Sequence, residues 1–258
     1  MSIINFSWEQ TYAAVWRQQK AYLRPIAAID PIALDDLVGV ERQKKELQRN
    51  TERFLAQQPA NNVLLWGSRG TGKSSLIKAM LNRYAEQGLR LIEIFKTDLY
   101  NLPEIIDEIR EQPYRFVIYC DDFSFNLHDD SYVALKTLLE GSIEQAPENV
   151  LLYATSNRRH LVPESMQDNQ DSKVVGDEVH YSDAIEEKIS LSDRFGLWLS
   201  FYPPSQDGYL EIVDSYFPGY AGDRQVLHEA AKDFARTRGS KSGRTAKQFY
   251  NYFSGAEN

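Results

Sequence analysis

Apolar and polar positions fall into repeating blocks along most of this chain. "NVLLWG" is a short apolar run, and the residues from Lys73 to Gln87 behind it recur at helical spacing. The pattern then repeats. "LRLIEIF" predicts a strand and "LPEIIDEIREQ" a helix, with Pro103 near its start. "RFVIYC" predicts a strand, "SYVALKTLLEGSI" a helix and "NVLLYAT" a strand. "DAIEEKISLSDRF" predicts a helix and "LWLSFY" a fifth strand. Nearly continuous apolar strands separated by helices predict an α/β fold, a parallel sheet sandwiched by helices.

The two ends differ from this middle. In "SWEQTYAAVWRQQKAYL", Trp8, Tyr12, Val15, Trp16 and Leu23 recur near helical spacing, which predicts an N-terminal helix docked on the chain's own core. A second amphipathic helix is expected from about Glu41, with Asp35 or Asp36 in its start region. After "PPS" at Pro203–Ser205 the strands stop. "QDGYLEIVDSYF", "DRQVLHEAAKDFARTR" and "RTAKQFYNYF" predict a small all-helical unit. The expected division is an N-terminal segment over 1–34, an α/β nucleotide-binding domain over 35–203 and a helical lid over 204–258. The polar stretch between Arg159 and Tyr181 has little periodicity and is expected to be a surface loop.

Composition narrows the class. The 258 residues are 42% hydrophobic and 26% charged, as in an ordinary globular protein. No apolar run is long enough to suggest a membrane span. The N-terminus lacks the pattern of a secretory signal, and the lone Cys120 has no partner for an internal disulfide, so a cytoplasmic chain is expected. A net charge of -8 argues against bulk binding of nucleic acid. "RTRGSKSGRTAK" is locally basic, and a solvated helix end accounts for it.

The glycines carry the chemistry. Gly67-Ser68-Arg69-Gly70-Thr71-Gly72-Lys73-Ser74 matches G-x-x-x-x-G-K-[ST], between an apolar strand and a helix, with Ser75 next. Glycines let the backbone wrap so that several N–H groups point at one place. The helix behind adds roughly half a positive charge at its N-terminus. Lys73 is placed to reach the β- and γ-phosphates, and Ser74 to offer its hydroxyl to Mg2+. The pattern does not separate ATP from GTP, nor a hydrolase from a kinase or a passive switch.

Two other strand ends add candidates. "FVIYCDD" closes a buried strand on Asp121 and Asp122. At the carboxyl end of a parallel strand, Asp121 is suited to hold Mg2+ and Asp122 to orient or deprotonate a water. Cys120 fits a small core residue better than a nucleophile. "LLYATSN" ends on Asn157, a neutral group able to stand between a γ-phosphate and a water. Arg194 and Arg244 are guanidinium groups suited to phosphate, though either also fits an ordinary surface ion pair. The four histidines lack metal-ligand spacing, and no G-x-S-x-G motif is present.

In this order the motifs resemble the AAA+ ATPases, over about Leu37 to Phe253. More narrowly, "LLWGSRGTGKSSLIKA", "CDDFSF", "TSNRRHLVPE" and "SDRFGLWLSFYPP" resemble the bacterial "domain of unknown function 815" proteins within that superfamily. The resemblance implies a five-stranded AAA+ core with a helical lid, and ATP as the nucleotide. It implies Walker A at Gly67–Ser74, Walker B at Asp121 and Asp122, and sensor 1 at Asn157. It also implies an arginine finger at Arg194, sensor 2 at Arg244, and adenine contacts from Val38 and Gly39.

Assembly follows from the same likeness. An arginine finger acts on a neighbour's nucleotide, so a homo-oligomer, ring or partial ring, is implied. An unidentified protein is the expected partner. "FKTDLYNLPE" lacks the glycine of a threading loop, and "QAPE" leaves no room for a DNA-remodelling hairpin. Walker B usually reads Asp-Glu, and here it reads Asp-Asp. That departure keeps a nucleotide-dependent scaffold with little turnover in view beside the ATPase. A P-loop kinase is the third alternative.

Overall fold

The chain begins with strands where its aromatic spacing predicts a helix. In a computed structural model that describes residues 3–123, 147–157 and 193–254, Ala13–Arg17 forms β1 and Tyr22–Pro25 forms β2, paired antiparallel. The physical reason is burial on both faces. Ala13, Ala14, Val15 and Trp16 are all buried in succession, as in an inner strand rather than one face of a helix. Ala21 turns the chain with φ of 47°. The expected docking on the core does occur, because Trp8, Trp16 and Leu23 join one hydrophobic cluster.

Arg90 pins this segment in place. Its Nε donates to the Trp8 carbonyl at 2.7 Å, and its Nη1 donates to those of Ala85 and Leu89 at 2.8 Å. The guanidinium lies 4.1 Å from the centre of the Tyr114 ring and 4.9 Å from that of Tyr12.

Helix α1, Glu41–Leu55, leads to β3, Val63–Gly67. Helix α2, Lys73–Tyr84, leads to β4, Leu89–Ile94, and α3, Leu102–Ile109, to β5, Arg115–Cys120. Strands β6, Val150–Ser156, and β7, Leu197–Phe201, complete a seven-stranded sheet of order β2-β1-β4-β5-β6-β3-β7. The five expected strands are all present and mutually parallel. Strand β1 adds parallel to β4, so the sheet has two strands more than expected. The helix expected over 131–143, all but the last three residues of the helix expected over 183–195, and the loop over 159–181 lie outside the described residues.

Alternate residues of each inner strand feed opposite cores. Leu64, Ile92, Ile118 and Leu152 pack with α3 on one face. Val63, Leu65, Leu91, Val117 and Leu199 pack with α1 and α2 on the other. Each such side chain contributes about 1.5–3 kcal/mol on leaving water.

Past Phe201 the chain is helical, with α4 at Gln206–Tyr216, α5 at Arg224–Arg238 and α6 at Gly243–Ser254. Ser205 caps α4, accepting from the Gly208 amide, and Asp223 caps α5 through the Gln225 amide. Tyr209, Val213, Leu227, Ala231, Ala246 and Phe249 form a core of their own.

Candidate nucleotide site

The sheet order brings three strand ends together. Strand β3 lies between β6 and β7, and β5 lies on the far side of β6. Leu65 pairs with Thr155, and Cys120 pairs with Ala154. The register therefore sets Asp121 level with Thr155, one strand from the glycine-rich loop. Ligand sites of open parallel sheets lie at such carboxyl ends.

The loop's glycines have separate reasons. Gly67 has φ of 131°, and a Cβ there would meet the Phe201 carbonyl oxygen at 1.9 Å. The close approach lets Ser68 donate its N–H to that oxygen at 3.0 Å. Gly70, with φ of 75°, is pressed against Ser242 and Arg244 at the start of α6. Gly72, with φ of 98°, opens α2 in a left-handed conformation, a turn that other residues adopt at a cost.

Lys73 is buried and its Nζ is used inside the protein. It donates to the carbonyls of Gly67 and Ser68 at 2.8 Å and to Asn157 Oδ1 at 3.3 Å. Burial lowers its pKa; the Asp121 and Asp122 charges oppose that shift, and Arg244 and Arg69 reinforce it. A phosphate arriving here would favour the charged amine.

The Ser74 hydroxyl donates to Asp121 Oδ1 at 3.0 Å. The Thr155 hydroxyl donates to the same oxygen. Burial alone would raise the Asp121 pKa, but bonds from Thr155, Ser74, Tyr119 and the Asp122 backbone outweigh it and hold the carboxyl below its ordinary value. Asn157 Nδ2 donates to Asp122 Oδ1 at 2.7 Å. Asp122 itself has φ of 50°, left-handed for a residue with a Cβ. Lys73, Asn157 and Asp122 thus form one chain of hydrogen bonds beside the Ser74–Asp121 pair.

Other expected residues stand as follows. The Thr71 hydroxyl donates to the Ser68 carbonyl at 2.8 Å, tightening the loop. Arg69 is exposed on the loop, and Ser75 is half-buried in the first turn of α2. The Arg244 amide donates to the Gly70 carbonyl at 3.3 Å, so α6 starts on the loop. Val38 is half-buried and Gly39 exposed, with φ of 79° and its N–H donated to Glu41 Oε1. Burial, and then the Asp36 charge, raise the pKa of Tyr216 in α4, so this segment lies within electrostatic reach of the C-terminal helices.

Arg194 is not with the others. It is exposed three residues before β7, whose first residue, Leu197, pairs with Val63 at the start of β3. At about 3.3 Å per residue, the length of β7 separates that edge from the loop. Cys120 is buried, and burial first, then the Asp121 charge, push its thiol pKa far up. It stays a neutral core group. His228 pairs with Asp214 at 2.9 Å, and His128, His160 and His180 lie outside the described residues.

Two contributors escape a reading of the sequence. Tyr119 reaches Ser74 and Asp121 from inside the sheet, where burial and the Asp121 charge push its pKa up and keep it neutral. Thr155 joins Asp121 and Asp122. A hydroxyl near a strand end is a weak signal, and only the register between β5 and β6 gives it meaning.

Ser74 and Asp121 present hard oxygen donors side by side, which fits Mg2+. Among the described residues no group of three or more His, Cys, Asp or Glu gathers as a metal cluster. No described helix is long and apolar enough to cross a membrane.

The sheet covered by helices on both faces and the trailing helical unit constitute the expected α/β fold. A search of curated proteins returns no match. Among solved structures, the chain is similar to the Thermotoga maritima RuvB Holliday junction branch migration motor. The identity is 12%, over 87% of this chain and 72% of that one, with a TM-score of 0.46. A single-residue variant of T. maritima RuvB gives 14% identity over 87% and 72%, with a TM-score of 0.48. Residues 9–257 match the profile of one family, and the chain belongs to it: the family described as "Protein of unknown function (DUF815)".

Proposed function

We propose that this chain binds Mg-ATP on Gly67–Ser75 and hydrolyses it as a homo-oligomer that remodels a protein partner. The observation that carries the proposal is the convergence of Lys73, Ser74, Asp121, Asp122 and Asn157, joined through Thr155 in one bonded network behind a glycine-rich loop. Loop amides and the start of α2 receive the phosphates. Lys73 exchanges its carbonyl partners for phosphate oxygens. Ser74 and Asp121 would hold Mg2+, which would supply positive charge to the phosphates. Asp122, held by Asn157, orients the attacking water. Val38 and Gly39 face the adenine, and Arg244 approaches the phosphates from the lid.

Arg194 precedes the start of β7, at the opposite ends of the strands from its own loop, which supports a role on a neighbouring subunit's nucleotide. Such a residue is worth about 10³ to 10⁵ in rate. The test is phosphate release from ATP over a wide range of protein concentration. The specific rate is expected to rise with concentration and to collapse in Arg194→Ala while ATP binding persists. A rate per subunit independent of concentration contradicts the role in trans.

A second reading has its own support. Asp122 replaces the usual glutamate, is one methylene shorter, and is already engaged by Asn157. In this reading ATP orders the lid and the closed shape is recognised without fast turnover. Tight ATP binding with no release at any concentration selects it.

A further inference from the structure

We propose that Thr155 is a positioning residue whose single hydroxyl sets the Asp121 carboxylate for Mg2+ and holds the backbone of Asp122 beside it. The inference rests on the nucleotide reading above and adds a residue to it. Thr155 is 1% exposed near the end of β6. Its Oγ1 donates to Asp121 Oδ1 and accepts from the Asp122 N–H at 3.2 Å. Its carbonyl accepts from the Phe123 N–H at 2.6 Å. Three consecutive residues of the acidic turn are thus tied to one residue of the neighbouring strand.

Two features give these bonds a purpose beyond packing. The Asp121 oxygen that Thr155 engages is the one that Ser74 engages, so the hydroxyl turns the carboxylate toward the loop. The amide it accepts from belongs to Asp122, which takes a left-handed backbone with φ of 50°. Strained conformations of that kind persist where the surroundings over-determine them. Thr155 supplies one restraint, on the Asp122 amide, and Asn157 supplies another, on its carboxylate. The paired restraint directs a side chain one methylene shorter than glutamate. A hydroxyl has one proton to give and lone pairs to accept with, so one threonine serves both acids.

Thr155→Val keeps the shape and removes both bonds. Thr155→Ser keeps the hydroxyl and loses only a methyl. ATP binding is titrated calorimetrically for both variants and wild type, first in EDTA and then over a series of Mg2+ concentrations. Loss of a residue that orients a metal ligand typically weakens the metal by about 10- to 100-fold. The valine variant is expected to need at least about tenfold more Mg2+ for the same tightening of ATP binding. Its affinity in EDTA should equal that of wild type, and the serine variant should follow wild type throughout. If the valine variant does not fold, Thr155→Ala is read by the same criterion.

An unchanged Mg2+ requirement in the hydroxyl-free variant overturns the inference while leaving the nucleotide reading intact. So does an equal loss of ATP affinity with and without Mg2+, which marks a merely structural residue. Wild-type protein that binds no ATP overturns the nucleotide reading and this inference with it.

Discussion

Asp121 gathers bonds from Thr155, Ser74, Tyr119 and the Asp122 backbone, and its carboxyl is held below the ordinary value in consequence. The sign of the linked stability follows. A carboxyl with a lowered folded pKa contributes stability above its unfolded value, about 3.9, and loses it as pH falls through the folded one. The stability gap between wild type and Asp121→Asn should therefore be constant above about pH 5 and shift against wild type below about pH 4. Thermal melts of both proteins over that range check it. A gap that stays flat into strong acid contradicts the bonding described at this residue. Residues at this scale were legible where a motif constrains them. Lys73, Ser74, Asp121 and Asn157 follow from strand ends and spacing. Thr155 and Tyr119 do not, because their roles depend on which strands are neighbours.

At the scale of elements, continuous apolar runs identify the five inner strands because parallel strands are buried on both faces. The same rule applies to "AAVW", and there the competing signal was stronger in the sequence. Trp8, Tyr12 and Trp16 stand four apart, which imitates a helix, while the open edge of β4 makes a strand the better solution. Propensity of a short segment yields to tertiary pairing of this kind. Gly67 shows the converse, a residue whose type is dictated by two elements at once. Its Cβ would overlap the Phe201 carbonyl, so Gly67→Ala forces β3 and β7 apart as well as straining the loop. A loss of about 3 kcal/mol or more is expected, since strain and a broken buried contact fall in the severe class. Urea unfolding measures it. A loss below about 1 kcal/mol would mean that the approach to Phe201 is readily relieved.

At the scale of the whole molecule, two separately built parts meet at one loop. The sheet supplies β3, β5 and β6, and the C-terminal helical unit supplies the start of α6, resting on Gly70. A ligand on that loop is in a position to be felt by both. Arg194 lies elsewhere, and under the proposed function it serves a neighbouring subunit. The central claim beneath all of this is that the loop receives Mg-ATP through Lys73. The most direct test is a calorimetric titration of Mg-ATP into wild type and Lys73→Ala, with circular dichroism to show that both are folded. The account predicts saturable binding by wild type and none by the folded variant. Equal affinity in the two proteins, or no binding by wild type, would contradict it.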